Sequence, residues 1–201
     1  HPVSDYGRSK LAGEELVRAA TLPWTIVRPP TVYGPRDVEL LRMFKLAQWS
    51  ILPVVGDRAQ ELSFVYAEDL AAALVAVTGA PAQGKTYFAC HPEVCTAATT
   101  AFAIHRAVQQ VSGTRPRRAS GPFLFPIPAP ITRAALWITG TTARVAGRAT
   151  LLSPDKAAEF LAEGWTCSTA ALERDTGWRA TTDLRTGLEA TARWYRTKGW
   201  I

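Results

Sequence analysis

The chain has 201 residues and a formal net charge of +6 at pH 7. Hydrophobic residues make up 47% of it and charged residues 20%, a composition typical of a globular domain and unlike that of a disordered chain. Its three cysteines are too few for a disulfide scaffold and favour a reducing compartment. No apolar run reaches the length of about 18 residues expected of a transmembrane helix. We therefore expect a cytoplasmic protein of one domain or two small ones.

Apolar periodicity and capping residues predict alternating helices and strands. The helices are predicted at residues 4–20, 38–49, 68–77, 99–111, 131–145, 154–162 and 183–198. The strands are predicted at residues 24–27, 63–66 and 86–89, and the proline-rich residues 115–130 are predicted to be irregular. Glu68 and Asp69 are expected to cap the helix that follows them. Strands that alternate with helices indicate an α/β fold with a mostly parallel sheet.

Tyr6 and Lys10 lie four residues apart in the first predicted helix, so they share one face of it. A free phenol loses its proton only in alkaline solution, and a neighbouring ammonium group favours the phenolate. The pair is therefore a candidate for moving a proton to or from a carbonyl or alcohol oxygen. The spacing alone is weak, because a helical tyrosine with a solvated lysine one turn away is common.

Five blocks of sequence place this pair in a wider context. They are Ser4–Glu14, Ile26–Pro35, Ser63–Ala71, Asp175–Trp178 and Gly187–Tyr195. In this order they resemble the extended short-chain dehydrogenase/reductase family of the NAD-dependent epimerase/dehydratase type, over nearly the whole chain. The resemblance implies the C-terminal part of a Rossmann-type doubly wound parallel sheet plus a smaller, mostly helical substrate-binding region. Residues 1–35 and 62–90 would form the Rossmann elements, and residues 36–61 and 91–201 the substrate-binding region.

The resemblance also implies roles for individual residues. Tyr6 is expected to be the catalytic acid/base, and Lys10 to hold the nicotinamide ribose and to favour the tyrosinate. The residues expected beside the NAD or NADP cofactor are Tyr6, Lys10, Pro29, Pro30, Thr31 and Val32. The residues expected near the substrate are Thr31 and Tyr33.

A metal site is not expected. Cys90, His91 and Cys95 are too few for a closed zinc site, and Cys167 lies far away in the sequence. His105 falls within a predicted helix and is expected to be a packed or surface histidine rather than a ligand.

Two parts of the family pattern are missing from this sequence. It contains no Gly-x-x-Gly-x-x-Gly or Gly-x-Gly-x-x-Gly loop, the element that receives a pyrophosphate at a helix N-terminus. The serine or threonine that assists the tyrosine would lie upstream of the first residue. We therefore expect the chain to be an N-terminally truncated fragment that is inactive by itself.

The functional hypothesis is NAD(P)-dependent hydride transfer at a secondary alcohol or ketone. Leu62 and Ser63 stand where sugar-nucleotide members of the family carry an Arg-Asp pair, and a missing guanidinium removes a natural phosphate contact. This favours a sterol- or lipid-like substrate. Two alternatives stay open, a nucleotide-sugar epimerase/dehydratase in which Arg58 or another arginine meets the phosphates, and a non-catalytic dinucleotide-binding scaffold subunit. The resemblance adds a homodimer as an expected assembly.

The positive charge is concentrated between Val94 and Pro154, where the sequence has no aspartate or glutamate. That stretch contains seven arginines, namely Arg106, Arg115, Arg117, Arg118, Arg133, Arg144 and Arg148. The remainder of the chain is close to neutral, so the basicity indicates a local purpose.

On a helical wheel Arg133, Arg144 and Arg148 lie with Trp137 on one side of the helix predicted at residues 131–145 and its extension. The other side carries Ile131, Ala134, Ala135, Ile138 and Val145. This pattern predicts either membrane contact through residues 123–148 or a core-packing helix with a solvated arginine face. Nucleic acid is ranked last, because no aromatic stacking platforms lie among the arginines.

Overall fold

The computed structural model describes residues 2–112, 121–145 and 156–201. The helices in these ranges are α1 (Asp5–Ala19), α2 (Val38–Ala47), α3 (Ala67–Ala76), α4 (Ala97–Ser112), α5 (Ala129–Val145), α6 (Lys156–Phe160), α7 (Ala170–Thr176) and α8 (Leu184–Thr197). The strands are β1 (Thr25–Arg28), β2 (Thr31–Tyr33), β3 (Ile51–Val55), β4 (Glu61–Tyr66), β5 (Lys85–Phe88), β6 (Val94–Thr96), β7 (Phe123–Ile127) and β8 (Gly164–Trp165).

Parallel pairing dominates the strands. The parallel pairs are β1 with β5, β2 with β4, β3 with β7 and β4 with β8, while β6 pairs antiparallel with β4. Thr25 lies opposite Lys85 and Arg28 opposite Phe88, so the carboxyl ends of β1 and β5 meet at one edge. The predicted α/β class with a mostly parallel sheet is therefore confirmed.

The structure contains five short strands, β2, β3, β6, β7 and β8, and one helix, α7, that the sequence did not predict. β7 lies inside residues 115–130, which were predicted to be irregular, and it pairs along its whole length with β3. Prolines at positions 53 and 126 obscure both strands in the sequence, because proline is rare within sheets. β2 likewise replaces part of the loop expected after β1.

Two other predictions fall partly on residues outside those described. Of the helix predicted at residues 154–162, the structure shows α6 at Lys156–Phe160, which ends two residues early, while residues 154 and 155 are not described. Residues 113–120, part of the segment predicted to be irregular, are not described either. The division into a Rossmann part and a substrate-binding part stays a prediction.

The larger hydrophobic core joins α2, α4 and α8 to β3 and β4. Its fully buried members include Phe44, Leu52, Val108, Leu188 and Tyr195. α8 supplies one continuous apolar face because its buried residues recur every three or four positions. A second, smaller core lies between α3, β5 and α7.

Asp69 does not cap α3, contrary to the sequence-based expectation. The helix begins after Tyr66 without a side-chain cap. The buried Asp69 carboxylate instead accepts hydrogen bonds from the Thr181 amide (3.3 Å), the Thr181 hydroxyl (3.0 Å) and the Thr182 amide (2.9 Å). Asp69 therefore holds the segment that leads into α8.

Replacing Asp69 by alanine is expected to lower the free energy of unfolding by about 1.5–3 kcal/mol, because three donors lose a charged acceptor. Asp69→Asn keeps one acceptor oxygen and should lose less. Urea denaturation measures both variants, and Glu68→Ala, at the exposed neighbouring position, is the matched control. An unfolding midpoint for Asp69→Ala that equals the control would contradict the assignment.

Candidate active site

α1 carries Tyr6 and Lys10 on one exposed face. The buried Ser4 caps this helix, since its Oγ accepts a hydrogen bond from the Gly7 amide at 3.1 Å, and the same hydroxyl contacts the Glu159 carboxylate of α6. Tyr6 is 53% exposed. The ammonium nitrogen of Lys10 lies over its ring, 5.3 Å from the ring centroid. The structure thus brings together the two residues that the sequence paired.

An ion pair that the sequence analysis missed joins α1 to the end of β1. Nε and Nη2 of Arg28 donate to the two carboxylate oxygens of Glu14 at 2.7 and 2.6 Å, and Arg18 donates to Glu14 at 2.8 Å. The hydrogen bonds from Arg28 lower the pKa of Glu14, and those to Glu14 raise the pKa of Arg28. Glu14 lies one turn after Lys10, and Arg28 directly precedes Pro29. The pair therefore links the Tyr6–Lys10 helix to the segment expected beside the cofactor.

The residues after β1 are placed partly as expected. Pro29, Thr31 and Val32 are exposed and Pro30 is half-buried, so this segment presents accessible atoms. Thr31 and Val32 belong to β2, which pairs in parallel with β4 through Thr31 opposite Phe64. The expected loop is thus a short strand whose position is set by backbone pairing.

Tyr33 lies in the core and not at the exposed surface expected of a substrate contact. Its side chain is 2% exposed, and its ring packs edge-on against Phe64 and Tyr66 at centroid distances of 6.0 and 5.6 Å. Its hydroxyl donates to the Asp183 carbonyl at 3.2 Å, and burial raises its pKa. Gly187 of α8 permits this packing, because a Cβ atom there would lie 2.3 Å from the Tyr33 hydroxyl oxygen.

Ser63, Cys90 and Cys167 form a cluster just beyond the carboxyl end of β5. The Cys90 thiol donates to the Cys167 carbonyl at 3.3 Å, and the Cys167 amide donates to the Ser63 hydroxyl at 3.2 Å. Side-chain contacts with Cys90 and Ser63 also lower the pKa of the Cys167 thiol to about 7, whereas contact with the Cys167 thiol and burial raise the pKa of Cys90. Cys90 and Cys167 are thus in contact in the fold although they lie 77 residues apart in the sequence.

Other sequence candidates have structural partners. The Arg58 guanidinium donates to the Leu124 carbonyl at 2.9 Å and so binds the β7 backbone. His105 is buried with its Nε2 3.0 Å from the Ser50 hydroxyl, and burial lowers its pKa, as suits a packed histidine. Within the described ranges, no three histidine, cysteine or acidic side chains are grouped so as to hold a metal ion.

Parallel strands with a tyrosine–lysine helix tied to their carboxyl edge define a Rossmann-type α/β protein. Residues 1–90 match the sequence profile described as the NAD dependent epimerase/dehydratase family. This match confirms the resemblance to that family seen in the sequence blocks.

Comparisons with individual proteins extend this result over the whole chain. The ceramide reductase of Caulobacter vibrioides (strain NA1000 / CB15N) is 34% identical over 200 residues, which cover 99% of this chain and 59% of that protein. The chain therefore spans about six tenths of that curated relative.

Solved structures share the fold. UDP-glucuronic acid 4-epimerase from Bacillus cereus, in complex with UDP-glucuronic acid and NAD, superposes with a TM-score of 0.67 at 20% identity over 98% of this chain and 54% of that one. dTDP-glucose 4,6-dehydratase from Bacillus anthracis, in complex with NAD, superposes with a TM-score of 0.68 at 14% identity over 100% of this chain and 56% of that one. Similarity at this level of identity establishes the Rossmann-type architecture.

Replacing Arg28 by lysine is expected to loosen α1, because an ammonium group cannot donate the two parallel hydrogen bonds of a guanidinium. Amide hydrogen exchange in residues 5–19 should accelerate several-fold. In the unmodified protein the same loosening should appear as the pH falls through the lowered pKa of Glu14, since protonation removes the acceptor charge. Arg8→Lys, which alters only the exposed pair with Asp5, is the control. Equal exchange in both variants would contradict a positioning role for Arg28.

The Cys167 thiol is expected to reach half of its maximal alkylation rate with iodoacetamide near pH 7, because its lowered pKa makes half of it thiolate there. The buried Cys90 and Cys95, whose pKa values are raised, should react slowly up to pH 9. Ser63→Ala removes a stabilising hydroxyl and should move the half-rate pH of Cys167 upward. Mass spectrometry of the alkylated peptides measures all three thiols. A half-rate pH of about 8.5, the value of a free thiol, would refute the cluster's effect.

Proposed function

We propose that the complete protein catalyses NAD(P)-dependent hydride transfer at a secondary alcohol or ketone carbon of a lipid-like substrate. The observation that carries this proposal is the exposed Tyr6–Lys10 face, held to the carboxyl edge of β1 by Glu14 and Arg28. The ceramide reductase of C. vibrioides supports both the redox chemistry and the substrate class, since it is similar over 99% of the chain. NAD in the related epimerase and dehydratase structures supports the cofactor.

The described residues suit the nicotinamide half of a dinucleotide. Lys10 offers an ammonium group and Tyr6 a hydroxyl, which are suitable donors for the oxygens of a ribose. Pro29, Thr31 and Val32 present exposed surface at the strand edge where ligands of open α/β sheets bind. These residues would hold the ribose and the nicotinamide. The pyrophosphate would be held by a glycine-rich loop that this sequence does not contain, so we propose that the chain alone is inactive.

The chemical step needs a hydride and a proton. A bound nicotinamide cofactor supplies or accepts the hydride. The Tyr6 hydroxyl donates its proton to the substrate oxygen as negative charge grows there, and in the reverse direction the tyrosinate takes the proton of the substrate hydroxyl. The Lys10 ammonium group, which lies over the Tyr6 ring, stabilises the phenolate charge by electrostatic attraction.

The surroundings of Ser63 favour a lipid over a nucleotide sugar. Ser63 is 1% exposed and accepts the Cys167 amide hydrogen, and Leu62 packs against the larger core. Neither position offers a charge to a substrate phosphate. A nucleotide-sugar epimerase or dehydratase is the second candidate, and a non-catalytic dinucleotide-binding scaffold is the third. The expected homodimer and a cytoplasmic location at a membrane surface belong to the same proposal.

Tyr6→Phe in the complete protein is expected to reduce turnover by about 100-fold or more, the usual contribution of a general acid/base. The dissociation constant for NADH should rise only a few-fold, because one hydrogen bond to the ribose is lost while Lys10 keeps its ammonium group. Lys10→Met should weaken NADH binding as well as turnover. Glu15→Gln, at an exposed position of the same helix, is the matched control. Turnover is measured with a long-chain keto lipid, a sterol and a UDP sugar.

Wild-type turnover in Tyr6→Phe would overturn the assigned role of Tyr6. Turnover of the UDP sugar alone would replace the substrate class by the second candidate. NADH binding without turnover of any substrate would favour the scaffold.

A further inference from the structure

α5 turns its apolar side outward. The residues of α5 that face the protein are Thr132, Leu136 and Gly140, which follow one another at intervals of four. Away from these residues, Ile131, Trp137 and Ile138 are each more than half exposed. An ordinary surface helix buries its apolar residues and exposes its polar ones. The helix packs on the protein through Thr132, Leu136 and Gly140, so its exposed apolar residues require a separate explanation.

A second apolar row lies on the two-stranded sheet that leads into α5. Ile51 pairs with Phe123 and Pro53 with Phe125, so these side chains lie on one face of the sheet. Ile51, Phe123 and Phe125 are about half exposed, whereas Leu52 and Leu124 between them are buried in the core. Pro128 alone separates β7 from α5.

We name this set of exposed side chains the apolar surface. It consists of Ile51, Phe123 and Phe125 on the strands and Ile131, Trp137 and Ile138 on α5. Trp49, which is more than half exposed at the start of β3, belongs to it as well. Isolated exposed apolar residues are common, but seven of them on or beside β3, β7 and α5 indicate an interaction site.

Exposed basic residues lie on the elements that carry or adjoin the apolar surface. Arg133 is exposed on α5, four residues from Trp137, and Arg42 and Lys45 are exposed on α2 just before Trp49. β7 and α5 belong to the stretch 94–154, which has no acidic residue. Of the arginines predicted to join this face, Arg148 and the side chain of Arg144 lie outside the described residues. Tryptophan beside arginine and lysine is the combination that suits the headgroup region of an anionic bilayer.

We propose that the apolar surface docks on an anionic lipid bilayer. Trp137, Ile138 and Phe125 enter the headgroup region, and Arg133 pairs with lipid phosphates. None of the described helices is long and apolar enough to cross a membrane. The proposed contact is that of an amphipathic surface with one leaflet. The reason for such docking rests on the proposed function, because a lipid-like substrate resides in a bilayer.

Flotation of the full gene product with vesicles tests the docking. The vesicles contain phosphatidylcholine with an equal share of phosphatidylglycerol, or phosphatidylcholine alone. The wild-type protein should float with the anionic vesicles, and Trp137→Ser/Ile138→Ser should reduce the bound fraction about tenfold or more. Leu16→Ser/Leu74→Ser removes two exposed leucines outside the apolar surface and is the matched control. Circular dichroism checks that each variant is folded. Arg133→Glu changes an exposed charge and serves as a milder variant, which should weaken flotation mainly at low salt.

Three results would overturn the proposal. The first is a wild-type protein that does not float, or that floats equally with neutral vesicles. The second is a Trp137→Ser/Ile138→Ser variant that floats like the control. The third is a light-scattering result without lipid in which the wild-type protein is a dimer and the Trp137→Ser/Ile138→Ser variant is a monomer. The apolar surface would then contact a second copy of the chain instead of a bilayer. Tyr6→Phe should float normally, so loss of catalysis and loss of docking are distinguished.

Discussion

Two parallel hydrogen bonds between Arg28 and Glu14 set the position of the helix on which the proposed chemistry depends. α1 has no buried side chain, so burial of apolar surface does not hold it in place. Polar contacts do so instead, at Ser4 beside its first turn and at Glu14 in its middle. A bidentate carboxylate–guanidinium pair accepts only one relative orientation, so it fixes the rotation of the helix as well as its location. Tyr6 and Lys10 inherit that orientation.

Local patterns in the sequence were enough to find most helices and the central strands. The predicted helix at residues 183–198 agrees with α8 within one residue at each end, because its apolar positions repeat at the helical period and Asp183 caps it. β7 was missed, since Pro126 within it suggested a loop. Its parallel partner β3 lies about 70 residues away, and pairing over that distance leaves no local signal.

In the candidate site too, features set by local sequence could be predicted, and features set by long-range contacts could not. Tyr6 and Lys10 share a face because four residues make about one helical turn, and that holds for any α-helix. The contacts of Glu14 with Arg28 and of Cys90 with Cys167 join positions 14 and 77 residues apart. Only the folded chain brings them together. The burial of Tyr33 was not predicted for a related reason, because a tyrosine at a strand end is compatible with either a ligand contact or the core.

The close approach of Gly187 to Tyr33 makes α8 and β2 a matched pair. The Tyr33 ring occupies the space that a side chain at position 187 would need. A larger residue at position 187 therefore requires a smaller one at position 33. Tyr33 ends the strand that starts with the exposed Thr31. A change in the distance between α8 and β2 would therefore shift Thr31, which is expected to lie beside the cofactor. In a set of related sequences this would appear as paired variation, with a smaller ring accompanying a larger helix residue. Through Tyr33, the position of α8 thus affects Thr31 at the other end of β2.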